Sequence, residues 1–233
     1  MEEYAFNKFN NTNGYSKANL SEIVVSYVKN RILAGDLKSG DRLIETDISD
    51  ELKVSRAPVR EAMRELNILG ILDFSPRKGS QVLEMTYEDI AEIFSIRIPL
   101  EMQVISIIFE KSLLEDKDLE YLERLNNEMI NPNHTAMDEK EMVYMLNVND
   151  LTFHSFFWRK SNSLRRANIL EGQFFQLLIA MNQDISTLGS IQEKYDQHKA
   201  IIDACKTGSV DETLSAFKIH MDSYLNAISN FDK

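Results

Sequence analysis

The sequence predicts a mainly α-helical chain in two parts: a small N-terminal module of three helices and a β-hairpin, then an all-α antiparallel helical bundle. Three observations carry this. Apolar residues recur at three- and four-residue steps from Leu20 to Leu33 and again from Val59 to Leu69. From Thr86 onward helical periodicity runs on with few breakers, and Asn131-Pro132, Ser161-Asn162, Gly189 and Gly208 are its punctuation. Between these regions, Ile71 to Phe74 and Gln81 to Leu83 read as two short strands around Pro76-Arg77-Lys78-Gly79.

Residues 1–18, rich in Asn and Lys and without periodicity, read as a flexible arm, and structure is expected from Asn19. Leu20, Ile23, Val24, Tyr27, Val28, Ile32 and Leu33 form the stripe of a first helix, capped by Asn19 or Ser21 and stopped by Gly35. A turn through Ser39-Gly40-Asp41 leads to Thr46, the expected cap of a short helix over Asp47 to Leu52 that turns Ile48 and Leu52 inward. Ser55 then stands as N-cap of a third helix reaching about Leu69, with Pro58 in the first turn, where its missing N–H costs nothing. Val59, Met63, Leu66 and Leu69 are its buried side, Gly70 its end, and Arg56, Arg60 and Arg64 a row on its outer face. Three helices followed by a two-stranded hairpin with a basic tip describe a winged helix-turn-helix over residues 19–84. In that arrangement the third helix enters the DNA major groove, arginine forks can bond guanine O6 and N7, and the Ser55 hydroxyl can hold phosphate.

The bundle over residues 85–233 is expected to hold helices at 86–110, 115–130, 137–160, 163–187, 190–206 and 209–230. Charge is divided between the two parts. Residues 1–84 carry 12 Lys+Arg against 13 Asp+Glu, residues 85–233 carry 14 against 24, and the chain has a net charge of −11. Between Lys53 and Gln81 the balance is locally basic. A basic face on one module, attached to an acidic body held off the polymer, is a workable footprint for DNA. The chain shows no secretory leader and no apolar run long enough to span a bilayer. Its single cysteine, Cys205, excludes an intrachain disulfide, fits a reducing cytoplasm and is expected to be inert core.

Four metal-capable side chains fall where periodicity allows only apolar groups. Val143, Leu146, Phe153 and Phe157 place Asp150 and His154, one turn apart, on a buried stripe. Ile191, Ile201, Ile202 and Cys205 place His198 on a second core face, and Leu214, Phe217, Tyr224 and Ile228 place His220 on a third. Three of the chain's four histidines lie on such stripes; His134, in Asn131-Pro132-Asn133-His134, reads as surface loop. A lone histidine on an apolar face is more often a satisfied core residue than a ligand. An ionised carboxylate in a helical core needs a partner, however, and a divalent cation supplies one. Three imidazoles and a carboxylate suit Zn, Ni, Mn or Fe, with Zn or Ni favoured, and leave positions for water or a ligand. Arg97 also shares a core stripe, with Ile90, Ile93, Phe94 and Glu101, so it needs an anion: either an ion pair with Glu101 at i+4 or a bound effector. Pro99 should kink the helix beside it.

The run Arg31-Ile-Leu-Ala-Gly-Asp-Leu-Lys-Ser-Gly-Asp-Arg-Leu-Ile-Glu-Thr-Asp47, continuing as Glu51-Leu-Lys-Val-Ser-Arg-Ala-Pro-Val-Arg-Glu-Ala62, resembles the DNA-binding domain of GntR-family bacterial transcription regulators, and the match extends to Val82. Glu92-Ile-Phe-Ser-Ile-Arg-Ile-Pro-Leu-Glu101, Asp150-Leu-Thr-Phe-His154, His198 and His220 resemble the effector-binding helical (FCD-type) domain of the FadR subfamily. The resemblance implies a homodimer on double-stranded operator DNA whose bundle binds a small carboxylate effector. It implies metal ligation by Asp150, His154, His198 and His220, and DNA contact by Ser55, Arg56, Arg60, Lys78 and Gly79. Departures are Lys53 where glycine is common, Ser39 where proline is common and Ala57 where threonine is frequent. The function expected is a cytoplasmic DNA-binding regulator, a repressor by the commoner rule and not an enzyme, whose operator affinity a carboxylate modulates at the metal site with Arg97. Two alternatives are a regulator with a purely structural metal and no inducer, and a metalloenzyme in which an open Asp/His site activates water.

Overall fold

The computed structural model describes residues 20–75, 79–131, 137–182 and 190–228. The proposed arm, the loop holding His134 and the wing-tip residues Pro76, Arg77 and Lys78 lie outside them. The N-terminal part runs α1 (Leu20–Leu33), β1 (Arg42–Leu43), α2 (Glu45–Leu52), α3 (Arg56–Ile68), β2 (Leu72–Ser75) and β3 (Gly79–Val82). Helix α1 packs on α3, and their stripes, Val24, Val28 and Ile32 on one and Val59, Ala62 and Leu66 on the other, are fully buried.

The sheet has three strands, not two. Its order is β1-β3-β2, both pairings antiparallel, with Arg42 opposite Gln81 and Phe74 opposite Ser80. Two residues are too few to show a period, so Arg42–Leu43 carries no strand signal in the sequence. The second helix starts earlier than its expected cap: Ile44 occupies the N-cap position without a side-chain bond, and Thr46 lies within the helix, its hydroxyl 3.2 Å from Asp47 Oδ1. Ser55 has the extended backbone of an N-cap but its hydroxyl makes no cap bond, so that oxygen stays free toward solvent. Between α2 and α3, Lys53 adopts φ 53°, a left-handed conformation that glycine takes without steric cost. The glycine common there in the resembled family has this backbone reason.

The C-terminal part is helical throughout its described residues: α4 (Tyr87–Glu110), α5 (Asp116–Glu128), α6 (Glu139–Lys160), α7 (Leu164–Met181), α8 (Ile191–Thr207) and α9 (Val210–Ile228). Capping boxes open four of them, Thr86 with Asp89, Glu115 with Asp118, Asp138 with Glu141 and Ser190 with Glu193, so their starts are fixed by local chemistry. Helix α4 runs unbroken through Pro99 and packs against α7 and α9, while α8 packs on α9 and α5, and α7 on α6. The aromatic centre holds Phe94, Phe153, Phe157, Trp158, Phe175 and Phe217. Helix α1 also lies on α6 and α7, and one continuous apolar core joins the two parts.

Candidate functional site

Helix α6 contributes Asp150 and His154 to the bundle interior, α8 contributes His198 and α9 contributes His220; exposure is 8% for Asp150 and at most 1% for the histidines. One candidate ligand atom from each lies within 4.8 Å of all the others. Asp150 Oδ1 stands 3.2 Å from His198 Nε2 and 3.9 Å from His154 Nε2, and His154 Nε2 stands 3.1 Å from His220 Nε2. Ligands about 2.0–2.2 Å from a common ion sit about 3 to 3.6 Å apart at right or tetrahedral angles, close to this spacing.

The hydrogen bonding behind these atoms supports convergence on a cation. His220 Nδ1 lies 2.9 Å from Gln197 Oε1, an acceptor, so that nitrogen carries the proton. His154 Nδ1 closes no hydrogen bond, but Glu101 Oε1 at 3.4 Å is the acceptor beside it, which favours the proton on that nitrogen. Both Nε2 atoms then present lone pairs to each other across 3.1 Å, an arrangement that a proton or a metal ion between them must relieve. Asp150 Oδ1 and both His198 ring nitrogens are buried without a hydrogen bond. Such orphaned atoms are costly in a core unless something coordinates them. The four residues fit a divalent transition metal of the N₃O donor class.

Neighbouring charge at Asp150 and burial at His198 and His220 favour the deprotonated forms of these ligands. Burial would raise the Asp150 carboxyl, but the Lys194 charge and the adjacent His198 and His154 outweigh it and hold it well below the usual carboxylate range. Burial lowers His198 against the pull of Asp150, and burial together with the neighbouring imidazoles holds His220 well below its ordinary value. An ionised carboxylate and neutral imidazoles are the state a metal binds.

Arg97 finds its anion within its own helix. Its Nε and Nη2 stand 3.3 and 3.2 Å from Glu101 Oε1, and its guanidinium lies 5.3 Å from the Phe174 ring centre. Glu101, fully buried, also accepts from Trp158 Nε1 at 2.8 Å, so Arg97 takes one of its oxygens and Trp158 the other, with His154 Nδ1 3.4 Å from the first. Arg97, Asn147, Asp150, His154, Lys194 and Tyr224 line one side of a cavity of about 20 Å³, room for about one water, closed on the other side by apolar residues of α7.

Lys194, the second cation in this wall, escaped the sequence reading. It is 3% exposed on α8, its ammonium 5.1 Å above the Tyr224 ring, and it remains charged because Tyr224 and Asp150 outweigh its burial. Its position four residues before His198 was the available signal, as was that of Trp158 four after His154. Gln197, next to His198 in sequence yet bonded to His220, had no such signal.

In the N-terminal module Ser55, Arg56, Arg60 and Arg64 are exposed along α3 and at its N-cap, and Gly79, with φ 82°, is exposed in the hairpin. Arg60 is tied to Glu45 of α2 through Nε and Nη2, at 3.2 and 3.0 Å. That bond, with Arg56 and Arg64 nearby, lowers the Glu45 carboxyl. Lys78 lies outside the described residues.

Two family descriptions match the chain: bacterial regulatory proteins of the gntR family over residues 20–82 and the FCD domain over residues 92–223. The chain belongs to the GntR family. Within it, this GntR protein is 31% identical over 144 residues to the uncharacterised HTH-type transcriptional regulator YdhC of Bacillus subtilis, a match covering 62% of each chain. It is 24% identical over 92% of its length to a probable D-xylose utilization operon transcriptional repressor of Paenarthrobacter nicotinovorans, covering 91% of that protein. The first two curated relatives, YdhC and Escherichia coli McbR, are matched over only 62% and 58% of their length. In fold it is similar to the solved E. coli McbR/YncC, at TM-score 0.79 and 22% identity over 92% of this chain and 99% of that one. A transcriptional regulator from Rhodococcus gives TM-score 0.73 at 20% identity over 91% and 98%. YdhC, the Paenarthrobacter protein and the Rhodococcus structure are all named as transcriptional regulators or repressors. No helix among the described residues is long and apolar enough to cross a membrane.

Proposed function

We propose that this GntR protein is a cytoplasmic homodimeric DNA-binding regulator, a repressor, with an operator-reading module at 19–84 and a metal- and effector-binding FCD domain at 85–233. The observation that carries the sensing half is the meeting of four buried ligand atoms within 4.8 Å, two of them lone-pair nitrogens opposed at 3.1 Å. Asp150, His154, His198 and His220 hold the cation, Zn or Ni by preference, while Gln197 and Glu101 orient two of the imidazoles. When bound, the cation supplies a Lewis-acid point for one oxygen of a small carboxylate.

Arg97 and Lys194 supply positive charge for that carboxylate. Arg97 keeps Glu101 on one edge of its guanidinium and offers the remaining N–H groups to the cavity. Because about 20 Å³ admits little more than a water, the effector enlarges the cavity as it binds, and that repacking is the physical origin of a response. On the DNA side Arg56 and Arg60 reach base edges, and Ser55, Lys78 and Gly79 hold the backbone. A hydrolytic reading is disfavoured because the buried carboxylate beside the ligands, Glu101, is fully committed to other partners.

The test combines native mass spectrometry with selection from a randomised duplex pool. One metal per chain, lost in His198→Ala, and enrichment of a two-fold-symmetric site are expected. Chelation should then change affinity for the selected site about tenfold, a coupling of about 1.4 kcal/mol. Absence of enrichment overturns the DNA-reading half. Metal uptake indifferent to His198→Ala overturns the site.

A further inference from the structure

Helix α7 has two working faces. Phe174, Leu177, Leu178 and Met181 form the apolar side of the cavity. Glu171, Phe175, Gln176 and the residue that ends the helix, Asn182, face the N-terminal module. Lys29 of α1 pairs with Glu171 at 2.8 Å and lies 4.9 Å from the Phe175 ring centre. Gln176 donates to Leu69 O at 2.9 Å, at the last turn of α3, where Gly70 leaves no room for a Cβ beside the Gln176 amide. Asn182 donates to Ile32 O at 2.6 Å, Asn147 of α6 donates to Leu33 O at 2.9 Å, and the two asparagines lie 3.4 Å apart.

Helices end in carbonyls without intrahelical partners, and a buried end needs donors from elsewhere. Here the C-terminal ends of α1 and of the arginine-bearing α3 both take donors from the bundle. Both asparagines are buried, at 1% and 3% exposure, and Asn147 is also a wall residue of the cavity. The cavity wall is shared by α4, α6, α7, α8 and α9, and where an occupant displaces α7 or α6 the movement pulls on a cap of α1 or α3.

We propose that Asn147, Asn182 and Gln176 form an interdomain latch through which occupancy of the cavity resets the ends of α1 and α3. The inference builds on the reading of the bundle as a ligand-binding site and names the residues that carry its message. Ligation and transmission use different residues and share one helix: the ligands lie on α6, α8 and α9, whereas the latch donors lie on α6 and α7.

Hydrogen–deuterium exchange of the full chain, with Zn²⁺ or Ni²⁺ and with chelator, tests it. In the parent, metal should change exchange of the amides of residues 34–37 and 69–71 about fivefold or more. In Asn182→Leu the change at 34–37 should vanish, in Gln176→Leu that at 69–71, with one metal still bound per chain in native mass spectra. Asn182→Ala, which removes the same donor with less added bulk, should repeat the first result. Variants that respond as the parent does, or a parent that binds metal without any response at these amides, overturn the latch. A parent that binds no metal overturns the proposed centre instead. The latch is then judged without metal: Asn182→Ala must by itself speed exchange at 34–37, and unchanged exchange there overturns it.

Discussion

Arg60 with Glu45 and Arg97 with Glu101 are the same pair of side chains at nearly the same separation, 3.0 and 3.2 Å, in opposite surroundings. The first pair is 55% and 35% exposed on the helix face proposed to meet DNA; the second is 6% and 0% exposed beside the candidate metal centre. Water competes for every hydrogen bond of the exposed pair, which therefore leaves its arginine available to another partner. Inside the bundle bulk water is shut out, and each charge has become a structural necessity of its neighbour. Charge on the module is a tool for binding, whereas charge in the bundle is a network that must close on itself or on a ligand.

The most severe way to break the comparison is Glu101→Gln. Arg97 then loses its counter-charge while Trp158 and His154 keep a polar neighbour, and unfolding free energy should fall by about 3–5 kcal/mol in urea denaturation. A double change, Arg97→Met with Glu101→Leu, should recover most of that loss, because the cost lies in the charge left behind. A loss below about 1 kcal/mol for Glu101→Gln would mean that water reaches the pair, and the contrast between the two regions would disappear.

The pH dependence of the metal-free chain sharpens the same point. His198 and His220 have folded-state values below the ordinary 6.5, chiefly from burial, so below that pH the unfolded chain binds protons that the native chain refuses. Stability should therefore fall as pH drops from about 6.5, by up to about 1.4 kcal/mol per pH unit for each imidazole. Asp150 and Glu101 are lowered, so their contribution is present above the unfolded carboxylate values and is lost only in more acid solution. Denaturation midpoints flat between pH 6.5 and 5.5 would show that the imidazoles titrate as freely as in the unfolded chain. The exposed pair between α2 and α3 has no part in this window.

What could be read from the sequence divides along the same line. Asp150, His154, His198 and His220 were legible because a polar residue on an apolar stripe contradicts its own helix, and three helices made the same contradiction. Helix limits were legible where a capping box set them, as at Thr86 and Ser190. Lys194 had only its spacing of four from His198 as a signal, too weak by itself because lysine on an otherwise mixed helix reads as solvated and its burial depends on Asp150 and Tyr224 arriving from α6 and α9. The competing anions for Arg97 could not be separated by spacing alone; the fold settles which carboxylate in the chain it meets. Strand β1 was missed because its two residues acquire meaning only when β3 lies beside them. Asn147, Asn182 and Gln176 gave no signal, because the carbonyls they bond lie more than 100 residues away in sequence.

Arg56→Ala tests the module by a milder loss. Arg56 is exposed and, among the described residues, has no salt bridge like that of Arg60, so its guanidinium is available. Specific binding to the selected duplex should weaken by about 1–3 kcal/mol, with relaxed preference at one base pair, while urea stability stays within error. Weakening equal on all sequences, with a shallower salt slope, would assign Arg56 to phosphate.

The smallest expected effect belongs to Glu45→Gln. Glu45 takes the Nε and Nη2 edge of Arg60, leaving Nη1 and the second Nη2 proton pointing beyond α3. A guanidinium held along one edge presents the adjacent edge in a fixed direction, which favours the paired acceptors O6 and N7 of guanine over a single phosphate oxygen. Glutamine keeps the shape but removes the charge and one acceptor, so Arg60 should swing more freely. Overall affinity at moderate salt should then rise slightly, because a negative group has left the DNA face, while discrimination at the base read by Arg60 falls a few-fold. Stability should not move, in contrast to Glu101→Gln, since water replaces the lost bond. Discrimination unchanged in Glu45→Gln but lost in Arg60→Ala would show that Arg60 reads its base without guidance from α2, and the exposed pair would then be a surface contact and no more.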